Sequence, residues 1–107
     1  MIQAWLYLAL AGIIEIIWTT SLKYSEGFTK LVPVLVILIC APISLYFLSV
    51  SIKTIPLGTS YAIWTGIGAI GAVIVGIILF NESMNIGRLL SIALIVTGIV
   101  GVKFFTR

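Results

Sequence analysis

Apolar residues fill four long runs of the chain, and each run is long enough for a membrane-spanning helix, which needs roughly 20 residues. The runs extend over residues 3–22, 31–52, 58–80 and 86–102. The segments between them, KYSEGFTK, KTIPLG and NESMN, hold most of the charged residues and several turn formers. Because an unpaired strand would leave its backbone polar groups unsatisfied in hydrocarbon, the pattern predicts four transmembrane helices. The short connections make each helix antiparallel to the next.

The composition agrees with one all-α membrane domain spanning residues 1–107. Hydrophobic residues make up 62% of the chain and charged residues 8%, which is too few charges to cover a soluble domain. The N-terminus lacks a basic segment ahead of its apolar run, so the first run is interpreted as a membrane helix rather than a cleaved signal.

Several function classes are excluded by the same composition. The net charge of +3 is spread thinly, without the basic cluster of a nucleic-acid interface. A single cysteine, Cys40, and the absence of histidine argue against a metal site. We therefore predict no enzyme activity, no nucleic-acid partner, and neither a resident metal centre nor any other cofactor.

One carboxylate, that of Glu15, lies inside a predicted helix. It is 12 residues from Gln3 and 8 from Lys23, or ~18 Å and ~12 Å at the helical rise, which places it near the bilayer midplane. An acidic side chain at that depth costs on the order of 3 kcal/mol. It could be a permanently protonated group that makes an interhelical hydrogen bond. The favoured interpretation is a binding site for a proton, a metal cation or an organic cation, because ionisable residues inside membranes are usually functional.

Residues suited to a cation site are predicted near Glu15. They are Gly12 and Trp18 on the first helix, Ser44 on the second, and Tyr61 and Trp64 on the third. Aromatic faces attract cations, and hydroxyl groups can hold a carboxylate by hydrogen bonds. Tyr61 could instead belong to the interfacial aromatic belt. A carboxylate that can hold either a proton or a cation is the minimum machinery of an exchanger.

Small residues recur at helical spacing in the third and fourth helices. Gly68, Ala72 and Gly76 lie four apart on the third helix, and Gly98 and Gly101 lie on the fourth. Such residues let helix backbones approach closely, so they predict helix packing. Pro42 lies inside the second helix and leaves the carbonyl of Leu38 without its usual donor, which predicts a kink.

The positive residues give no preferred orientation in the membrane. Lys53, Lys103 and Arg107 fall on one side, and Lys23, Lys30 and Arg88 on the other. With three on each side the positive-inside rule favours neither orientation. Four short helices barely enclose a cavity, so we expect a dimer. A chain that inserts both ways would form an antiparallel homodimer, an inverted repeat made of two identical subunits.

Three segments of the sequence resemble the small multidrug resistance transporters over the whole chain. They are EIIWTTSLKYSEGFTKLVP at 15–33, IPLGTSYAIWTGIGAIGA at 55–72 and TGIVGVK at 97–103. The resemblance implies dimers of four-helix protomers in the bacterial plasma membrane, proton-coupled export of cations, and a membrane glutamate shared by proton and substrate. Glu15 occupies the position of that glutamate.

Within this family the chain resembles the guanidinium-exporter branch. The similarity rests on Trp18 and on the small residues Gly68, Ala69, Gly71 and Ala72. It implies that Trp18, Ser44, Tyr61 and Trp64 form a hydrogen-bonded surround of Glu15, and that Gly12 makes room beside it. A planar guanidinium ion suits this site because a carboxylate can receive its paired donors bidentately.

Other substrates and roles stay open. Thr19 and Thr20 resemble the multidrug branch and Pro42 departs from the expected pattern, so the site could accept substituted guanidinium or quaternary ammonium ions. A multidrug exporter of lipophilic cations is the main alternative. Half of an obligate heterodimer and a structural or ion-binding membrane subunit are further alternatives.

Overall fold

The structure, a computed structural model, describes residues 2–106 and contains four helices and no strand in that range. The helices are α1 (Ile2–Tyr24), α2 (Leu31–Ile52), α3 (Leu57–Phe80) and α4 (Ile86–Phe105). All four are long and apolar enough to cross a membrane. The predicted all-α fold with four transmembrane helices is therefore confirmed. Arg107, which entered the count of positive residues, lies outside the described part of the chain.

α1 and α4 continue beyond the ends expected from the apolar runs, to residues 24 and 105. A lysine lies near the C-terminal end of each helix, and its aliphatic stem lets the ammonium group reach an aromatic ring. The Nζ of Lys23 lies 5.5 Å from the ring centroid of Phe80, and the Nζ of Lys103 lies 4.8 Å from that of Trp5. The apolar runs stop before Lys23 and Lys103, but the helices continue through these two residues.

The α3–α4 connection has a defined geometry. Asn81 adopts a left-handed conformation with φ 53°, and the backbone N–H of Glu82 donates to the carbonyl oxygen of Gly76 at 3.1 Å. This pattern ends a helix by reversing the chain direction. Asn85 then caps α4, because its side-chain oxygen accepts from the backbone N–H of Arg88 at 2.8 Å.

α1 is the centre of the bundle and packs against both α2 and α3, whereas α4 packs chiefly against α3. The buried core contains Leu8 and Ala11 of α1, Leu48 of α2, and Ile63 and Trp64 of α3. No residue of α4 is buried in the described chain. One long apolar helix is thus left with most of its surface open to lipid or to another chain.

The predicted packing residues lie in different surroundings. On α3, a Cβ added at Gly68 would meet the Glu15 side chain of α1. At Gly76 it would meet the side chain of Glu82 in the following loop, because the reversal at Asn81 folds that loop back. Ala72, the third predicted packing residue of α3, is exposed.

Gly98 and Gly101 of α4 face open space in the single chain. Their role in helix packing stays a prediction. Pro42 lies inside α2 without interrupting the helix.

Candidate functional site

Glu15 lies in the middle of α1 and its carboxyl group rests against Gly68 of α3. A Cβ at Gly68 would lie within 2.5 Å of the carboxyl carbon, so any larger residue there would collide with this group. The Oε1 atom of Glu15 is buried and has no hydrogen-bond partner among the described residues. A buried polar atom without a partner is costly. The arrangement can therefore accommodate a proton or a cation.

Ser44 of α2 connects three helices one turn away from Glu15 along α1. It is fully buried, and its hydroxyl donates to the backbone carbonyl of Ala11 at 2.7 Å. The same hydroxyl accepts from the indole Nε1 of Trp64 on α3 at 3.1 Å. Ala11 lies one turn before Glu15 on α1. Ser44 thus fixes the orientation of Trp64 and the distance between α1 and α2 at the depth of the candidate site.

Trp18 carries a second buried atom without a partner. Its indole Nε1 has no acceptor among the described residues, and the side chain lies one turn after Glu15 on the same face of α1. An indole N–H can only donate, so it needs an acceptor oxygen such as a hydroxyl, a carbonyl or a carboxylate. An acceptor oxygen and an unused donor are thus both found on this face of α1.

Gly12 and Tyr61 lie against other side chains, those of Ile67 and Trp64. A Cβ at Gly12 would meet the side chain of Ile67, so Gly12 makes room directly for Ile67. Tyr61 is 55% exposed, and its ring centroid lies 5.7 Å from that of Trp64. It therefore lies beside Trp64 with much of its own side chain exposed. The choice between a substrate contact and the interfacial belt stays open for Tyr61.

The hydroxyls of Thr19 and Thr20 are both engaged by the helix that carries them. Thr19 Oγ1 donates to the backbone carbonyl of Glu15 at 2.8 Å, and Thr20 Oγ1 donates to that of Ile16 at 2.7 Å. Helical threonines often bond in this way. Neither hydroxyl donates to the Glu15 carboxylate. Both side chains line the cavity between α1 and α3 and so contribute to its shape.

Sequence reasoning assigned Gly68 to helix packing and missed its contact with the carboxyl group. It also missed the carbonyl of Ala11 as the acceptor for Ser44. A signal for Gly68 was present, because it lies one turn after Trp64 on the same face of α3. Within residues 2–106, no three His, Cys, Asp or Glu side chains cluster in a way that could hold a metal ion.

Residues 3–95 match the family model described as "Small Multidrug Resistance protein". The chain belongs to the small multidrug resistance family. Two relatives named "Guanidinium exporter" are 47% identical in Yersinia pseudotuberculosis and 52% identical in Proteus vulgaris, each covering 94% of this chain and 97% of the relative. A third of that name, from Citrobacter freundii, is 48% identical over 98% of this chain and 100% of its own length.

These comparisons confirm the resemblance to the family and to its guanidinium-exporter branch. The family and the four apolar spans together describe a multi-pass protein of the bacterial inner membrane. The relatives are named as exporters rather than enzymes. Glu15, Ser44 and the two tryptophans are therefore residues of a small multidrug resistance protein.

The Ser44 junction predicts a loss of stability on replacement. Ser44→Ala would leave the indole N–H of Trp64 without a buried acceptor, so the free energy of unfolding in detergent should fall by about 1–3 kcal/mol. Ser51→Ala is the matched control, because Ser51 is equally buried on α2 but donates only to the carbonyl of Leu48 in its own helix at 2.7 Å. Thermal or denaturant unfolding of both variants measures the difference. Equal losses would show that the junction adds no stability of its own.

Proposed function

We propose that this chain exports small guanidinium-type cations in exchange for protons, and that both bind in turn to Glu15. The observation that carries the proposal is the buried Oε1 atom of Glu15, which lacks a hydrogen-bond partner among the described residues. The relatives named as guanidinium exporters, 47–52% identical to this chain, support the choice of cation.

The chemistry of the surrounding groups suits a guanidinium ion. This ion is planar and presents paired N–H donors, which a carboxylate accepts bidentately. The indole N–H of Trp64 already donates to Ser44, so its ring face is the part left to attract a cation. The free N–H of Trp18 can donate to the charged carboxylate and hold it in place.

Coupling follows from the cost of an uncompensated charge in hydrocarbon. A carboxylate at this depth is expensive when it binds nothing, and less so when a proton or a cation neutralises it. The two occupied forms therefore change sides more readily than the empty form. A proton gradient across the membrane then drives the cation in the opposite direction.

The proposed functional unit is an antiparallel homodimer. Two observations support it: α4 buries no residue within its own chain, and the positive residues are evenly divided between the two sides. Two copies in opposite orientations form an inverted repeat. When the protomers exchange conformations, an inward-open dimer becomes an outward-open dimer.

A second candidate is export of larger cations such as quaternary ammonium ions. Thr19, Thr20 and Ala72 line a cavity of about 150 Å³ that begins one turn after Glu15 along α1, which gives room for a substituent. A quaternary ammonium ion has no N–H donor, so it would depend on aromatic faces and on charge alone. Comparing uptake of guanidinium and a tetra-alkylammonium ion into proteoliposomes under a proton gradient separates the two candidates.

Replacing Glu15 tests the central assignment. Glu15→Gln should insert normally but lose both proton-driven exchange and cation binding, because an amide cannot bind a proton and a cation in turn. Glu15→Asp should retain some exchange with a shifted pH dependence, since its carboxylate retreats by one methylene. Glu26→Gln is the control, because that side chain is exposed in the α1–α2 loop. Retained uptake in Glu15→Gln proteoliposomes would remove Glu15 from the mechanism.

Competition between proton and substrate predicts the direction of the pH dependence. Lowering the pH protonates the carboxyl group and removes the charge that binds the cation, so affinity should weaken as the pH falls. In the acid range the apparent Kd should rise by about tenfold per pH unit, as expected when one proton excludes one cation. Titrations of purified protein with guanidinium across pH measure this slope. An affinity independent of pH would favour a uniporter or a channel.

Dual topology predicts labelling from both sides of the membrane. In a Cys40→Ala background, Thr29→Cys places a thiol in the exposed part of the α1–α2 loop, and an impermeant reagent should label it comparably from either side. Three lysines added at the C-terminus should hold that end in the cytoplasm and abolish activity, whereas three added glutamines should not. Co-expression with an oppositely biased variant should restore transport. One-sided labelling with full transport would contradict the antiparallel homodimer.

A further inference from the structure

A cavity of about 150 Å³ lies between α1 and α3, beyond Glu15 and towards the loop side of the bundle. Its walls include Thr19, Thr20 and Lys23 of α1, Ala72 and Gly76 of α3, and Glu82 of the α3–α4 loop. Thr19 is one turn after Glu15, and Ala72 is one turn after Gly68, which contacts the Glu15 carboxyl. The cavity therefore begins about one helical turn beyond the Glu15–Gly68 contact, on the side towards the membrane surface.

A carboxylate stands at the outer end of this cavity. The side chain of Glu82 is folded back onto α3, where a Cβ at Gly76 would meet its carboxyl group. The backbone holds it there, because the N–H of Glu82 donates to the carbonyl of Gly76 at 3.1 Å after the reversal at Asn81. Glu82 thus presents a negative charge to the cavity from a fixed position.

The carboxylate of Glu82 already binds a guanidinium group, that of Arg88. Arg88 Nη2 donates to Glu82 Oε1, and its Nη1 donates to the carbonyl of Ser83 at 2.8 Å. The side chains of Arg88 and Glu82 are 27% and 41% exposed. Because water reaches both partners, the pair is weakly held and its guanidinium can be exchanged for another of the same chemistry. On the opposite wall, Lys23 Nζ is drawn towards the Phe80 ring, 5.5 Å from its centroid.

We propose that Glu82 is an outer cation site, at which an incoming guanidinium ion displaces Arg88 before it moves along the α1–α3 cavity to Glu15. The inference rests on the proposed exchange of guanidinium for protons and names the path by which the cation enters. Arg88 is then a resident competitor: it holds the outer carboxylate when no substrate is present and releases it when the substrate concentration rises.

Two variants test whether the Glu82–Arg88 pair acts as an outer site or only stabilises the α3–α4 loop, a role called here a structural clip. Glu82→Gln removes the outer carboxylate and should raise the KM for guanidinium uptake by about threefold at low ionic strength, with the maximal rate little changed. Arg88→Gln removes the competitor and should lower the KM by about twofold. A structural clip would be broken equally by both variants, so both would then change transport in the same direction. The salt dependence adds a further readout, because the effect of Glu82→Gln should shrink at high ionic strength.

Glu26→Gln is the matched control for surface charge. Glu26 pairs with Lys30 at 3.3 Å in the α1–α2 loop, on the same side of the membrane as Glu82 but outside the cavity lining. It should leave the KM unchanged. If Arg88→Gln does not insert, Arg88→Lys replaces it; a lysine pairs less specifically with a carboxylate and should lower the KM to a smaller extent.

The outcomes distinguish this inference from the proposed function. Opposite changes in KM for Glu82→Gln and Arg88→Gln support the outer site. Changes in the same direction, or a Glu82→Gln variant that behaves like Glu26→Gln, would overturn the outer site while wild-type exchange stands. A wild-type protein that exchanges no guanidinium for protons in the same proteoliposomes would overturn the proposed function itself.

Discussion

The central constraint on this protein is a single carboxyl group at the depth of the hydrocarbon core. Glu15 lies halfway along a membrane-spanning helix, where an acidic side chain costs on the order of 3 kcal/mol. The Glu15 side chain packs against Gly68 of α3, and the lack of a side chain at Gly68 leaves space for the carboxyl group. The chain does not supply a donor to Oε1, so the cost is not removed within the described residues. A site of this kind favours a mobile positive ion, since only such an ion can neutralise the charge and then leave.

The helices that carry the site are packed together more tightly than the fourth helix is. α1 packs against α2 and α3, and the buried hydroxyl of Ser44 ties all three together through Ala11 and Trp64. α4 buries none of its residues. A bundle of three well-packed helices with a loosely attached fourth presents an apolar surface that a second chain could cover. In an antiparallel pair the firm part of each protomer would hold the carboxylate, and movement between protomers would change its access.

Much of the fold was predictable because hydrocarbon imposes a simple rule on backbone polar groups, and four apolar runs satisfy it only as helices. The helix ends were less predictable, since Lys23 and Lys103 reach aromatic rings while the helix continues. In the site, Glu15 stood out by its isolation from other charges. The spacing of Gly68 from Trp64 placed it on the right face of α3, but its contact with the carboxyl group depends on the relative rotation of α1 and α3, which tertiary packing sets. The same reason hides the bond from Ser44 to Ala11, which joins residues 33 positions apart.

The three glutamates of the chain differ in whether a cationic side chain lies beside them. Glu26 pairs with Lys30 at 3.3 Å, and Glu82 pairs with Arg88. Both pairs lie in loops, where water lowers the cost of separating them. Glu15 has no ion-pair partner among residues 2–106. A resident lysine or arginine beside it would satisfy the charge permanently, because a buried pair is costly to break. In the proposed exchange, the absence of a resident cation at mid-membrane leaves Glu15 available to a proton or a substrate, and the resident cation at the surface makes Glu82 the proposed outer site.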